Sequence, residues 1–153
     1  MQPYERMESA LRLIKNTPCI YLGTLDSGGA PMIKVVTRNV HEGMNAFWFV
    51  TLTHRQRTID IQRDGRASLY FADNTNYETL LLKGKATITR DPAILQSMWN
   101  DGMTMFFKQG VDDPEYSAIE FRAEGGNYYR WPYIGNFTLD GGEMVWQDWM
   151  KHE

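Results

Sequence analysis

The chain has 153 residues, a net charge of −3 and a pI near 5.6. That is one domain of ordinary size, and its charge argues against nucleic acid, whose phosphates call for a basic face. The single cysteine, Cys19, rules out an intramolecular disulfide and suits a reducing compartment, so a cytoplasmic protein is expected. No apolar run approaches the ~20 residues of a membrane span. The N-terminus, with Glu5 and Glu8 and no long apolar h-region, does not resemble a signal peptide.

Met7, Ala10, Leu11 and Ile14 recur at helical spacing, which predicts a helix over 4–15 that Pro18 stops. Residues 19–26 and 31–39 read as a hairpin about Ser27-Gly28-Gly29. Cys19 opens the first of these apolar strands and is expected to be a buried small hydrophobe. Glu42-Gly43 turns the chain into a strand over 47–51, and Thr53 is placed to cap a short helix over 58–63 that Gly65 ends. Strands over 66–73 and 77–89 follow, the second with a bend or bulge at Gly84. Asp91-Pro92 is a helix start, an N-cap carboxylate followed by proline at the first helical position. Ile94, Leu95, Met98 and Trp99 share one face of that helix, a further helical turn is expected over 103–107, and 111–114 is loop. Residues 116–122 and 127–133 read as two strands about a turn at Glu124-Gly125-Gly126. The tail from 134 to 153 is ambiguous, with one more hairpin available at Asp140-Gly141-Gly142. About seven strands with a few short helices and no βαβ rhythm predict a mainly β fold, an antiparallel barrel with peripheral helices, as a single domain whose core spans about 5–133.

The segment from Thr51 to Arg57 carries the chemistry. His54, Arg55, Gln56 and Arg57 crowd the start of a short helix, where the macrodipole already makes the backbone positive. Cations there are stabilised by an anion, and a phosphate suits both the guanidinium groups and the exposed N–H groups. The competing account is that Arg55 and Arg57 are solvated surface charges, Lys34 an edge-strand charge and Thr51 an ordinary strand end. Aromatic residues make 13% of the chain, enough either for a β-rich core or for the wall of a flat-ligand site. Tyr129 and Trp131 fall on one face of their strand; Trp99 reads as core or as such a wall.

With these residues in place, the chain resembles the FMN-binding split-barrel superfamily, the pyridoxamine 5′-phosphate oxidase-like proteins, and within it the general stress protein branch. The resemblance rests on Ile33-Lys34-Val35, Phe49-Val50-Thr51, Arg55-Gln56-Arg57, Arg66 to Phe71 and Leu82 to Ala86, in that order, and on Trp99 and Gly110 to Tyr116 for the branch. It implies a homodimer that binds one FMN per subunit at the dimer interface. Lys34, Arg55, Gln56 and Arg57 would take the phosphate, Val50 and Thr51 would run under the ring, and Trp99, Tyr129 and Trp131 of a partner would close the site. The implied function is an FMN-binding oxidoreductase acting on an unknown small molecule. The alternatives are a non-catalytic flavin-binding stress-response module and the same fold loaded with deazaflavin or haem. Gln56-Arg57 stands where the family has Arg-Lys, and the substrate-gripping Arg-x-His of true pyridoxamine phosphate oxidases is missing, so the resemblance carries the binding fold rather than that reaction. His41, His54 and His152 are scattered without a metal-ligand spacing, no G-x-S-x-G elbow occurs, and Asp112-Asp113 lacks the alternating oxygens of a calcium loop.

Overall fold

Period-2 burial organises most of this molecule. The computed structural model describes residues 1–37 and 40–151, except for the side chains of residues 3 and 4. In chain order the elements are α1 (Pro3–Asn16), β1 (Cys19–Leu25), β2 (Pro31–Thr37), β3 (Val40–Glu42), β4 (Ala46–Leu52), α2 (Gln56–Arg63), β5 (Arg66–Asp73), β6 (Glu78–Thr89) and α3 (Pro92–Met98). Two 3₁₀ turns (Asp101–Met105 and Gly110–Asp112) then lead to β7 (Tyr116–Arg130), β8 (Tyr133–Asp140), β9 (Glu143–Trp146) and β10 (Met150–Lys151). His152 and Asn39 lie outside the described residues.

All pairings are antiparallel, and the main path runs β10-β8-β7-β6-β5-β1-β2, with β4 pairing the first half of β7 on the edge that β8 takes in its second half. The strands β2-β1-β5-β6-β7-β4 therefore curl into a barrel that stays open between β2 and β4. This is a split barrel with peripheral helices.

Inward-facing Ile20, Leu22, Phe47, Phe49, Leu69, Phe71, Leu80, Leu82, Ile119 and Phe121 fill it, and α1 lays Ala10, Leu13 and Ile14 against the same core. Each such side chain withdrawn from water contributes roughly 1.5–3 kcal/mol. A second, smaller cluster lies on the other face of β4: Ala46, Trp48, Leu95, Met98, Met103, Phe107, Tyr116 and Ala118. Alternation along β4 splits its residues between the two, Phe47 and Phe49 to the barrel, Trp48 and Val50 to the cluster.

Four expectations need correction. Residues 116–130 form one strand without a turn at Gly125-Gly126. These glycines serve close approach instead: a Cβ on Gly126 would lie 1.8 Å from the Leu81 carbonyl oxygen, and one on Gly125 would lie 2.5 Å from that of Phe137. Here β7 is squeezed between β6 and β8, beside the bulge at Lys83/Gly84 that the sequence does signal. Thr53 does not cap α2; its hydroxyl donates to the Pro114 carbonyl at 2.7 Å, and the N-cap position falls to Arg55. Cys19 is exposed, because β1 turns Ile20, Leu22 and Thr24 inward and Cys19 and Tyr21 outward. The helical turn expected over 103–107 comes two residues earlier, as the 3₁₀ turn Asp101–Met105.

The tail forms the β8–β9 hairpin about Gly141-Gly142, both at positive φ, and packs Phe137, Trp146 and Trp149 on the main core. Arg6 of α1 lies over the Trp149 ring at 4.0 Å and the Trp146 ring at 5.0 Å, which ties the first helix to the last strands.

Candidate functional site in the split of the barrel

The open seam between β2 and β4 holds a cavity of about 660 Å³, in the size range of small-molecule sites. Its basic end is Lys34 of β2 with Arg55, Gln56 and Arg57 at the start of α2; Val50, Thr51 and Leu52 of β4 form one side, and Asn100, Met103, Phe106 and Phe107 the other. Six of the nine expected site residues thus meet in one place. Beyond Trp48, β4 has β7 on one edge and, among the described residues, no strand on the other. The backbone edge of residues 49–52 therefore faces the seam.

Hydroxyl bonds fix α2 to this edge. Thr58 Oγ1 donates to the Leu52 carbonyl at 2.8 Å, so in its 2.9 Å contact with Thr51 the proton comes from Thr51. Both threonines are buried. Their bonds satisfy groups that would each cost about 1–3 kcal/mol unpaired, and they clamp the helix start against the strand end. Buried Asp60 accepts from Gln56 Nε2 at 2.9 Å and from Arg63 Nη1 at 3.0 Å, holding the first and last turns of α2 together. His54 pairs with Glu115 outside the cavity.

The electrostatics are one-sided. The N-cap of α2 makes no side-chain capping bond, and the first turn contains no acidic residue. Arg57 is half-buried, and its Nε is enclosed without a hydrogen-bond partner among the described residues. Burial first, and then the charge of Arg55, pull the Arg57 guanidinium below its ordinary value. A buried N–H donor without an acceptor is uncommon in folded proteins, and here it sits on a cationic side chain lining a cavity. An anion in the cavity would offset the mutual repulsion of the arginines.

Trp99, Tyr129 and Trp131 do not line the cavity of their own chain. Trp99 packs edge-on against Tyr116 with centroids 5.5 Å apart, so it supports the small cluster behind the wall. Tyr129 is half-buried in β7, opposite Ile134, and Trp131 is exposed past the end of that strand. Sequence reasoning missed Thr58, Asp60 and the whole wall from Asn100 to Phe107. Only the i, i+4 pair Gln56/Asp60 left a signal; a 3₁₀ segment has no sustained periodicity to read.

Among the described residues no helix is long and apolar enough to cross a membrane, and no group of three or more His, Cys, Asp or Glu is placed to hold a metal ion.

Comparison with known proteins places this geometry. Residues 5–141 match the family model described as "Pyridoxamine 5'-phosphate oxidase like". A protein related to general stress protein 26, of the pyridoxinephosphate oxidase family, from Clostridium acetobutylicum superposes with a TM-score of 0.78 at 32% identity, over 92% of this chain and 98% of that one. A general stress FMN/FAD binding protein from Xanthomonas citri shares the fold at 18% identity (TM-score 0.70, 83% and 89% covered). So does a haem binding protein from Mycobacterium smegmatis at 18% identity (TM-score 0.69, 87% and 57% covered). No curated protein matches the sequence. By the family model and the clostridial relative, this chain belongs to the pyridoxamine 5′-phosphate oxidase-like family.

Proposed function

We propose that the cavity in the split binds FMN, and that the protein works as a homodimeric flavin-dependent oxidoreductase on a small molecule. The observation that carries the proposal is a cavity whose basic end gathers Lys34, Arg55 and Arg57 at the start of a helix with no acidic residue in its first turn. A phosphate monoester fits that donor set. Lys34, Arg55, Gln56 and Arg57 would hold it, the arginines by charge-assisted bonds. Val50 and Thr51 offer backbone groups to a planar ring, and Met103, Phe106 and Phe107 offer apolar and aromatic surface on the facing side. When bound, FMN supplies hydride and electron transfer; the protein binds, orients and shields it.

A dimer is supported by the outer face of β2, β1 and β5. Val35, Tyr21 and Tyr70 lie side by side across these strands, with Ile33 beside them, and all four are 40–67% exposed. A second copy would cover this apolar patch and could bring Trp99, Tyr129 or Trp131 to the ring.

The cavity gives less support to haem. The described histidines are engaged elsewhere, His41 with the Gly43 carbonyl and His54 with Glu115, and neither lines the cavity.

The test is an absorbance spectrum of purified protein after excess FMN and desalting. About one retained flavin per subunit is expected; a Soret band would favour haem, a spectrum without the flavin band would favour deazaflavin, and a colourless protein would refute the FMN assignment. Turnover of bound flavin with NAD(P)H and an acceptor separates an enzyme from an inert flavin-binding stress module. Sedimentation at micromolar concentration should give a dimer.

A further inference from the structure

A second, larger hollow of about 890 Å³ opens on another side of the molecule, where α1 passes the turn between β5 and β6 and the end of β7. The face of α1 that carries Ser9, Arg12 and Asn16 forms one wall, at the i, i+3, i+7 spacing that puts residues on one side of a helix. Arg130 and Trp131 from the end of β7, and Cys19 and Tyr21 of β1, also line it. It shares no residue with the cavity in the split.

Its acidic groups are already engaged. Asp73 accepts from Thr75 N at 2.9 Å, Asn76 N at 3.2 Å and Asn76 Nδ2 at 2.7 Å. Glu78 accepts the hydroxyl proton of buried Tyr128. In the shallower hollow that adjoins it beyond the arginines, Glu5 is taken by the backbone N–H of Gln2, and Glu8 is exposed.

The basic groups retain capacity. Arg130 spends one N–H on buried Ser9, at 3.1 Å, which fixes the guanidinium at the rim. Arg12 has no hydrogen-bond or ion-pair partner among the described residues. Two guanidinium groups line the hollow, one held by Ser9 and one without a partner among the described residues, together with a Trp131 that is 62% exposed.

We propose that this hollow is a second ligand site, for a small molecule that joins an aromatic ring to one anionic group, a phosphate or a carboxylate. Arg12 and Arg130 take the anion, and their forked donors suit planar or tetrahedral oxyanions. Trp131 and Tyr21 give the ring its flat surfaces. None of its residues belongs to the phosphate clamp; Tyr21 and Trp131 also lie where the proposed second copy would approach, so the site rests on the hollow staying open in the dimer.

The chain's only cysteine, Cys19, lies exposed in the same hollow and reports on it without labelling the cavity in the split. The experiment measures the rate of Cys19 alkylation by neutral iodoacetamide on FMN-treated protein, with phenyl phosphate as the probe. Saturating phenyl phosphate is expected to slow alkylation by about fivefold or more. Arg12→Ala should raise the half-protecting concentration about tenfold, the loss of one charge-assisted contact, and Arg12 makes no bond among the described residues whose removal would disturb the fold. Trp131→Ala should also raise it, whereas Arg57→Ala should leave it unchanged. Four results would overturn the site: unprotected Cys19, protection that ignores Arg12→Ala, a Cys19 made inert because another copy covers the hollow, or full protection by FMN alone, which would merge the hollow with the flavin site.

Discussion

The two apolar clusters on either side of β4 differ in what their packing is for. The barrel core is walled by long strands everywhere but at the split, with aromatic rings meeting at a tilt across it, Phe47 with Phe71 at 5.6 Å and with Phe121 at 6.3 Å. The smaller cluster is backed by β4 and β7 but roofed by α3 and two 3₁₀ turns, and its outer members Met103 and Phe107 also face the cavity. One cluster makes the fold, and the other makes a wall of the site. Core side chains buried on every side are insensitive to ligand, whereas a roof of short turns opens at lower free energy.

Substitutions can break or sharpen that contrast. The largest effect is expected from Gly126→Ala, whose Cβ meets backbone that cannot move aside. It should destabilise the whole domain by about 4 kcal/mol or more, the upper end for single changes, seen as one cooperative drop in thermal unfolding. Phe107→Ala comes next, at about 3 kcal/mol, with a different signature. Hydrogen exchange should rise in residues 92–112 and flavin retention should fall, while the amides of β5 and β6 stay protected. Exchange that rises evenly through both clusters would show that they are one unit. Arg57→Ala should leave stability nearly unchanged and weaken FMN by roughly 2 kcal/mol, about 30-fold; an unaltered dissociation constant removes Arg57 from the clamp. Thr51→Val, which withdraws the proton given to Thr58, should cost about 1 kcal/mol and loosen FMN slightly by releasing α2 from β4.

The smallest effects are in pH. Bonds from the Arg66 side chain and backbone hold the Asp64 carboxyl down to about 2 from its ordinary 3.8. Between those values the unfolded chain binds the proton first, so this contribution is present above pH ~4 and lost as pH falls toward ~2. Asp64→Asn should flatten the melting temperature profile slightly over that window. At the other end, burial and Glu78 raise the Tyr128 hydroxyl above its ordinary 10. The unfolded chain then loses its proton first, and stability should fall as pH climbs past 10, less so in Tyr128→Phe.

Much of this was legible in the sequence where local physics decides. β5 was readable to the residue because Leu69 and Phe71 alternate with polar or small neighbours between turn signals, and Asp91 caps α3 through the Ala93 N–H as its position suggests. The basic end of the cavity was legible because two arginines at a helix start contradict the local field. The rest depended on contacts distant in sequence. Gly125-Gly126 spells a turn equally well, and only the approach of β6 and β8 makes it a flat crossing. Cys19 looked like core because its apolar run gives no phase until Ile20 and Leu22 choose the inside. The wall from Asn100 to Phe107 follows from where α3 docks on β7, which no short window of sequence contains.

The seam between β2 and β4 also constrains the order in which the molecule can be completed. Phe49 lies against Ile119 and Ala46 against Arg122, so β4 has no long partner strand until the chain beyond residue 116 is available. Hairpins β1–β2 and β5–β6 can close early, because their loops are short and cheap in entropy. The anion cradle at the end of β4 is therefore among the last parts to become rigid, although its residues emerge from the ribosome in the first half of the chain. A nascent fragment ending before β7 would carry every basic group of the clamp and still have no firm surface on which to gather a phosphate.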